Sequence, residues 1–164
     1  MSDSIQVRRA SAGDAEALVA FTAAMALETE RKVLLPGVIG PGVHHLLGHP
    51  AAGFYLVAES GGQVAGSLMV TNEWSDWRNG NFWWVQSVYV RPEFRRRGVY
   101  RALYKHLQTL AKQDPAICGF RLYVERDNVR AQATYRTAGM DETRYIVFEE
   151  LKPGIRFYEP AEKK

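Results

Sequence analysis

Hydrophobic residues recur along this chain with two different periods, and the periods divide it into strands and helices. A period of two, or a short apolar run between turn residues, predicts a strand, whereas apolar residues three or four apart predict a helix with one buried face. Strands are predicted over residues 5–9, 53–60, 63–71, 82–90, 117–125 and 144–151, and helices from residue 11 and over 43–48, 98–112 and 128–138. This order predicts a mixed α/β sheet with helices on its faces.

The first helix is predicted to begin at a capping box formed by Ser11 and Asp14. Its apolar stripe includes Met25, and one further helical step reaches Glu28, which therefore lies at the edge of the buried face. Prolines and glycines between residues 36 and 42 interrupt the helical pattern that follows. We expect this region to be a loop-rich pocket wall or lid.

Two features mark the centre of the predicted sheet. Gly61 and Gly62 separate two strand patterns and supply the positive φ angles of a hairpin turn. The strand over residues 82–90 carries large apolar residues at both even and odd positions. A strand of this kind is covered on both faces, so it is predicted to be central.

Length and composition indicate one globular domain over residues 1–164. The chain has 46% hydrophobic residues, which suffices for a substantial core. The single cysteine, Cys118, excludes an intramolecular disulfide and fits a reducing cytoplasm, where we expect the protein to act. No stretch approaches the roughly 20 apolar residues that cross a bilayer. Membrane insertion is therefore not expected.

The positive charge is concentrated in one segment. The net charge is only +3, but six basic residues fall between residues 91 and 105. The sequence from residue 88 to 104, VYVRPEFRRRGVYRALY, passes from a strand through three arginines and Gly98 into a helix. A helix N-terminus presents N–H groups and binds phosphate. Cations at this end of a helix interact unfavourably with the helix dipole, and each costs about 0.3–1 kcal/mol unless an anion is bound. The arrangement therefore favours a bound anion over the alternative, a run of charges that only faces water.

In these features taken together, the chain resembles members of the GNAT superfamily of acyl-CoA-dependent N-acetyltransferases. The family signature, Gln or Arg, two residues, Gly, one residue, then Gly or Ala, matches residues 95–100, except that Tyr100 stands at the small-residue position. The segments LYVERDN (122–128) and ATYRTAGM (133–140) are similar to the family's fifth strand and the helix after it. The resemblance implies a mixed, mostly antiparallel sheet flanked by helices, with splayed fourth and fifth strands.

The resemblance also implies an enzyme that transfers an acetyl group from acetyl-CoA to a primary amine by direct attack in a ternary complex. The backbone of the basic turn would hold the pyrophosphate, and its arginines would lie near the 3′-phosphoadenosine. A backbone N–H near Val88 or Tyr89 is a candidate donor to the thioester carbonyl. The residues expected to contact CoA are Val88, Tyr89, Val90, Arg95, Arg96, Arg97, Gly98, Val99, Tyr100, Arg101, Asn128 and Tyr135.

Two of these residues have an alternative role. Tyr135, which in the family lies near the CoA sulfur and protonates the leaving thiolate, has the helical spacing of a core aromatic residue. Asn128 is expected to cap the last helix, and by resemblance it also hydrogen-bonds the pantetheine. Direct attack needs no covalent nucleophile, so Cys118 is interpreted as a strand residue.

A carboxylate is the usual acceptor for the proton of the attacking amine, and Glu28 and Glu73 are the candidates. Glu73 is followed by Trp74, Asp76 and Trp77, which together with Trp83 or Trp84 would form an acidic, aromatic pocket for a cationic amine. The alternative is that these tryptophans pack and the acidic side chains face water.

Other functions and partners are alternatives to this one. His44, His45 and His49 are interpreted as surface residues rather than metal ligands, so no metal is expected. The first rival function is an inactive acyl-CoA-binding sensor with the GNAT fold. The second is a small basic nucleic-acid-binding module, and the concentration of the basic residues at one turn disfavours this second alternative. The acceptor, a small molecule or a peptide amine, stays open, as does a homodimer paired through the last strand and residues 155–158.

Overall fold

The computed structural model describes residues 4–162 and contains a five-stranded sheet, a two-stranded ribbon and four longer helices. The strands are β1 Gln6–Arg9, β2 Lys32–Leu34, β3 Gly53–Ser60, β4 Gln63–Ser75, β5 Gly80–Val90, β6 Ile117–Leu122 and β7 Tyr158–Pro160. The helices are α1 Ala15–Glu30, α2 Pro36–Gly48, α3 Val99–Gln113 and α4 Val129–Thr137. In this part of the chain, none of the helices has the length and apolar character that a membrane span requires.

The central sheet has the strand order β1-β3-β4-β5-β6. The first three neighbouring pairs are antiparallel, which confirms the predicted mixed α/β fold with a mostly antiparallel sheet. The predicted fourth and fifth strands are β5 and β6, and they begin side by side, since the N–H of Asn81 donates to the carbonyl of Ala116 at 2.7 Å. Strand β2 pairs instead with β7 in the separate ribbon.

Helices cover both faces of this sheet. On one face Leu18 of α1 and Val43 of α2 pack in a buried cluster with Tyr55 and Val57 of β3. Phe82 and Trp83 of β5 are adjacent in sequence and therefore point to opposite faces, yet both are buried. The prediction that this strand is central and covered on both sides is confirmed.

The chain divides by its internal contacts into two compact units. One unit comprises the residues up to Arg121 together with those from Phe157 onward, and it contains the sheet, the ribbon and α1 to α3. The other is Leu122–Arg156 and contains α4. The single domain over residues 1–164 stays a prediction.

The capping box before α1 is confirmed. The Asp14 carboxylate accepts hydrogen bonds from the backbone N–H of Ser11 at 2.7 Å and from its hydroxyl at 3.1 Å. Arg8 of β1 donates to both oxygens of the same carboxylate at 2.8 and 2.9 Å. The Arg8 guanidinium lowers the pKa of Asp14 to about 2, so this corner joins β1 to the start of α1 across the whole physiological pH range.

Helix α2 is longer than the pattern predicts. It begins at Pro36 and runs through Gly40, Pro41 and Gly42, where a loop-rich wall or lid is expected, so that prediction is wrong. Proline is favourable at the first helical position, which explains the start at Pro36. The rest is stabilised by packing of the α2 apolar face against α1 and β3, because tertiary burial outweighs weak helix propensity.

The predicted strand over residues 144–151 does not form. This segment has no regular structure, and Tyr145, Ile146, Val147 and Phe148 are exposed. A strand exists only where a neighbouring strand accepts its hydrogen bonds, and an apolar pattern does not supply that neighbour. The last strand of the described chain is instead β7, a three-residue partner of β2.

Candidate active site

A β-bulge interrupts β5 just before the basic turn. Gln86 pairs with Met69 and Tyr89 pairs with Ser67, so Ser87 and Val88 together face the single residue between these partners. Ser87 has a φ of 48°, in the left-handed region. A bulge of this kind leaves backbone groups out of the ladder and re-aims the side chains that follow.

The bulge changes which side chains share a face. Ser67 and Met69 lie two residues apart on β4 and point to the same face, and their partners Tyr89 and Gln86 therefore do so too. Strict alternation along β5 would have placed Tyr89 on the opposite face from Gln86. The residues of β5 on this face are Phe82, Trp84, Gln86 and Tyr89.

A tight turn connects the end of β5 to α3. After the 3-10 turn Pro92–Phe94, Arg96 has a φ of 64° and Gly98 a φ of 85°. A Cβ at Gly98 would meet little, so glycine is needed here for its backbone angle rather than for space. Helix α3 begins at Val99, directly after this left-handed residue. The turn therefore delivers the backbone to a helix N-terminus, which is suited to an anion.

The side chains of the turn point in several directions. Arg96, Arg97 and Arg101 are exposed, and the Arg97 guanidinium lies 5.7 Å from the centre of the Phe94 ring. Val99 is buried, and the ring of Tyr100 stacks on Tyr104 at 6.0 Å with an interplanar angle of 13°. Val88 and Val90 are half-buried.

Glu28, near the end of α1, contacts both β5 and the turn. Its Oε2 accepts a hydrogen bond from Nη2 of Arg95 at 2.7 Å, and its Oε1 accepts one from the Tyr89 hydroxyl at 3.3 Å. Burial, and after it the negative charge of Glu28, raises the pKa of the Tyr89 hydroxyl. Tyr89 therefore stays protonated at neutral pH and serves as a hydrogen-bond donor to the carboxylate.

Glu73 lies farther along the same sheet face. Its two oxygens accept hydrogen bonds from Arg121 of β6 and from the indole N–H of Trp84. The Arg121 guanidinium also stacks over the Phe82 ring, 3.9 Å from its centre. Between this cluster and Tyr89, the Gln86 amide donates to the Thr71 hydroxyl at 2.6 Å. A row of polar side chains thus follows β5 from Glu73 to Glu28.

The other predicted acceptor residues do not gather around Glu73. Trp74 follows Glu73 on β4 and so points to the opposite face. Trp77 is 82% exposed at the hairpin tip, where the Asp76 carboxylate accepts a hydrogen bond from its backbone N–H at 2.9 Å. Of the four tryptophans, Trp84 is hydrogen-bonded to Glu73, whereas Trp83 packs on Phe54.

Asn128 and Tyr135 belong to the unit Leu122–Arg156. The Asn128 side chain accepts a hydrogen bond from the N–H of Ala131 at 3.1 Å, which confirms its capping of α4. Gly139, just after that helix, has a φ of 89°. Burial raises the pKa of the Tyr135 hydroxyl, which therefore keeps its proton at neutral pH.

Three members of the polar row are not predicted from the sequence as site residues: Arg121, Gln86 and Thr71. One signal was present, since Arg121 interrupts an otherwise apolar predicted strand and a charge there needs a partner. The sequence does not identify that partner, because Glu73 is 48 residues away along the chain. The pairing of Arg95 with Glu28 likewise spans 67 residues.

The histidines predicted to lie at the surface do so. His44, His45 and His49 are exposed, and the rings of His45 and His49 stack with their centres 3.9 Å apart. Across residues 4–162, no group of three or more histidine, cysteine or acidic side chains is arranged to hold a metal ion.

Comparison with known proteins identifies the family. Residues 26–140 match the model of the acetyltransferase (GNAT) family. A possible acetyltransferase from Clostridium difficile 630 is 40% identical, with a TM-score of 0.84, over 90% of this chain and 97% of that one. Among curated proteins, no sequence matches this chain.

More distant structures share the fold. A predicted acetyltransferase from Clostridium acetobutylicum, solved with acetyl-CoA, is 15% identical with a TM-score of 0.74, over 90% of this chain and 96% of that one. An aminoglycoside N-acetyltransferase solved with CoA is 14% identical with a TM-score of 0.73, over 93% and 97%. The bulged strand, the left-handed turn at the start of α3 and these matches lead to one conclusion: the chain belongs to the GNAT family of acetyltransferases.

Proposed function

We propose that the protein transfers the acetyl group of acetyl-CoA to a primary amine of a small molecule or peptide, by direct attack in a ternary complex. The observation that carries this proposal is the succession of the β5 bulge, the left-handed Gly98 and the N-terminus of α3, with two carboxylates on the adjoining sheet face. A thioester cosubstrate such as acetyl-CoA needs one site for its pyrophosphate and another, in line with it, for its carbonyl. The turn at the start of α3 supports the first site, and the β5 bulge supports the second.

The residues of the turn fit the phosphate groups of CoA. The backbone around Gly98 leads into the first turn of α3, whose N–H groups and dipole favour negative charge. Arg96, Arg97 and Arg101 are exposed around it and supply positive charge without occupying the backbone site. The side chains of Val99 and Tyr100 pack inward, so Tyr100 at the small-residue position does not fill the turn.

The bulge supports the carbonyl site. The amine nitrogen forms a bond to the thioester carbon, and the carbon–sulfur bond then breaks. The carbonyl oxygen becomes negative on attack, and a backbone N–H released from the ladder near Val88 or Tyr89 donates to it. The departing thiolate takes a proton from the Tyr135 hydroxyl, in the role that the family resemblance implies. Burial raises the pKa of the Tyr135 hydroxyl, so the group is in its protonated, proton-donating form at neutral pH.

The two carboxylates, Glu28 and Glu73, have different roles on the acceptor side of the proposed site. Glu28 adjoins the bulge through Tyr89, and we assign to it the proton released by the amine, directly or through water. Glu73 lies farther along the face beside the Trp84 indole, and because Arg121 neutralises much of its charge, it contributes to acceptor binding as a hydrogen-bond acceptor. Asp76 and Trp77 at the hairpin tip line the approach from solvent in this proposal, whereas Trp74, which points to the opposite face, takes no part in it.

The test is acetyl transfer from acetyl-CoA to a panel of amines covering amino acids, polyamines, aminoglycosides and peptides. Because Cys118 is exposed and would react with thiol reagents, CoA and acetylated product are quantified by mass spectrometry. We expect the wild-type protein to turn over at least one amine, and Glu28→Gln and Tyr135→Phe each to lower kcat by about 10²- to 10⁴-fold.

A matched control is Glu93→Gln, which removes an exposed carboxylate that pairs with Arg91 in the same turn. It is expected to keep wild-type kcat. CoA affinity, measured by calorimetry, separates binding from chemistry: Glu28→Gln should bind CoA like the wild-type protein, and Tyr135→Phe, which keeps the ring, should lose much less affinity than kcat. Wild-type protein that neither binds CoA nor acetylates any amine would refute the proposed function.

A further inference from the structure

Arg95 differs from the two arginines that follow it. Its Nη2 donates to Glu28 at 2.7 Å, and its Nε donates to the carbonyl of Val90 at 2.9 Å. The same guanidinium lies 5.6 Å from the centre of the Tyr89 ring. One side chain therefore connects the turn, the end of β5 and the last turn of α1. Within residues 4–162, Arg96 and Arg97 form no ion pair.

Glu28 occupies a place that needs such a partner. It lies in the last turn of α1, where the negative end of the helix dipole disfavours a carboxylate. Its side chain is 43% exposed, so packing alone does not hold its rotamer. The two donors, Arg95 on one oxygen and the Tyr89 hydroxyl on the other, orient the carboxylate against β5. A carboxylate has further lone pairs beyond these two, which remain for an amine.

We infer that Arg95 is a positioning residue for Glu28, and not a ligand of the CoA phosphates as its place in the family signature implies. By holding the Glu28 carboxylate beside the bulge, Arg95 sets the affinity and orientation of the acceptor amine. The inference rests on the proposed function. It divides the three consecutive arginines into two roles: Arg95 serves the acceptor side, whereas Arg96 and Arg97 serve the cosubstrate side.

The experiment is a double-mutant cycle measured as kcat/KM for the best amine and, separately, as KM for acetyl-CoA. Arg95→Gln is combined with Glu28→Gln, and Arg96→Gln with Glu28→Gln. If Arg95 acts through Glu28, Arg95→Gln lowers kcat/KM for the amine on the order of tenfold in the wild-type background and has little further effect in Glu28→Gln. Arg96→Gln mainly raises KM for acetyl-CoA, and its effect multiplies with that of Glu28→Gln.

Two further variants control for charge and for fold. Arg95→Lys keeps the charge but cannot bridge Val90 and Glu28 as a guanidinium does, so it should recover only part of the amine kcat/KM. Arg91→Gln removes another arginine ion pair, to Glu93, from the same turn and should leave both constants within about twofold. Thermal unfolding confirms that each variant is folded.

The outcomes are distinct. Effects of Arg95→Gln and Glu28→Gln that multiply, or an Arg95→Gln variant altered only in its KM for acetyl-CoA, would overturn the inference while the proposed function stands. Wild-type protein without CoA binding or turnover would overturn the proposed function, and the inference with it.

Discussion

Glu28 and Glu73, the carboxylates proposed for the acceptor side, each accept a hydrogen bond from an arginine and another from an aromatic side chain. These contacts restrict the rotamers of two partly exposed side chains. They also neutralise much of the negative charge that an acidic pocket would present. In the proposed function, selection of a cationic amine at this face would therefore depend on geometry and hydrogen bonding more than on net charge.

Tyr100 is the residue at which the turn departs from the family signature. Its ring leans along α3 and stacks on Tyr104, which in turn packs edge-on against Phe120. The side chain thus belongs to the packing of the helix rather than to the backbone site proposed for the phosphate groups.

Replacing Tyr100 with glycine separates these two roles. Acetyl-CoA affinity is expected to stay the same or improve, whereas the free energy of unfolding falls by about 1–3 kcal/mol because an aromatic contact is lost and glycine weakens the start of α3. Calorimetric titration and urea unfolding measure the two effects. Tyr100→Phe, which keeps the ring, serves as the control. A large loss of affinity in Tyr100→Gly would mean that the side chain itself grips the ligand.

Among the elements, β5 shows how one inserted residue reorganises a strand. Ser87 has a left-handed φ, which costs a non-glycine residue about 1–2 kcal/mol, and the neighbouring pairs of β4 and β5 maintain it. The result is that Tyr89 turns toward Glu28 instead of the opposite face. The bulge therefore determines the composition of the polar row.

Helix α2 shows a second effect at this scale, since it contains Pro41 in its interior. Pro41→Ala restores a donor to the helix ladder and is expected to raise the free energy of unfolding by about 1–3 kcal/mol. Pro36→Ala, at the first helical position, should change it by less than about 0.5 kcal/mol. Urea unfolding of both variants provides the measurement. A neutral or destabilising Pro41→Ala would favour the loop that the sequence pattern predicts.

For the molecule as a whole, the buried hydrophobic residues of the described chain are concentrated in the sheet and its helices. Leu103 of α3 is fully buried, whereas Phe148, in the segment predicted as the last strand, is 88% exposed. Leu103→Ala is expected to lower the free energy of unfolding by about 2–5 kcal/mol, and Phe148→Ser to change it by less than about 0.5 kcal/mol. Chemical denaturation compares them directly. A cost above about 1 kcal/mol for Phe148→Ser would show that this segment packs as a strand after all.

The sequence by itself determined the fold class, most element positions and the basic turn at the start of α3. These follow from local rules: apolar periodicity, the Ser11 and Asp14 capping box, and a glycine where φ must be positive. The signature and its neighbouring motifs also identified the family, which the comparisons confirm.

Only the tertiary structure decided the bulge at Ser87, the helix through Pro41, the missing strand over residues 144–151 and the partners of Glu28 and Glu73. Each depends on residues that are distant in the chain, as Arg95 is from Glu28, or on packing energies that outweigh local propensity. Register and ion pairing depend on which elements pack against each other, and the periodicity of the sequence does not contain that information.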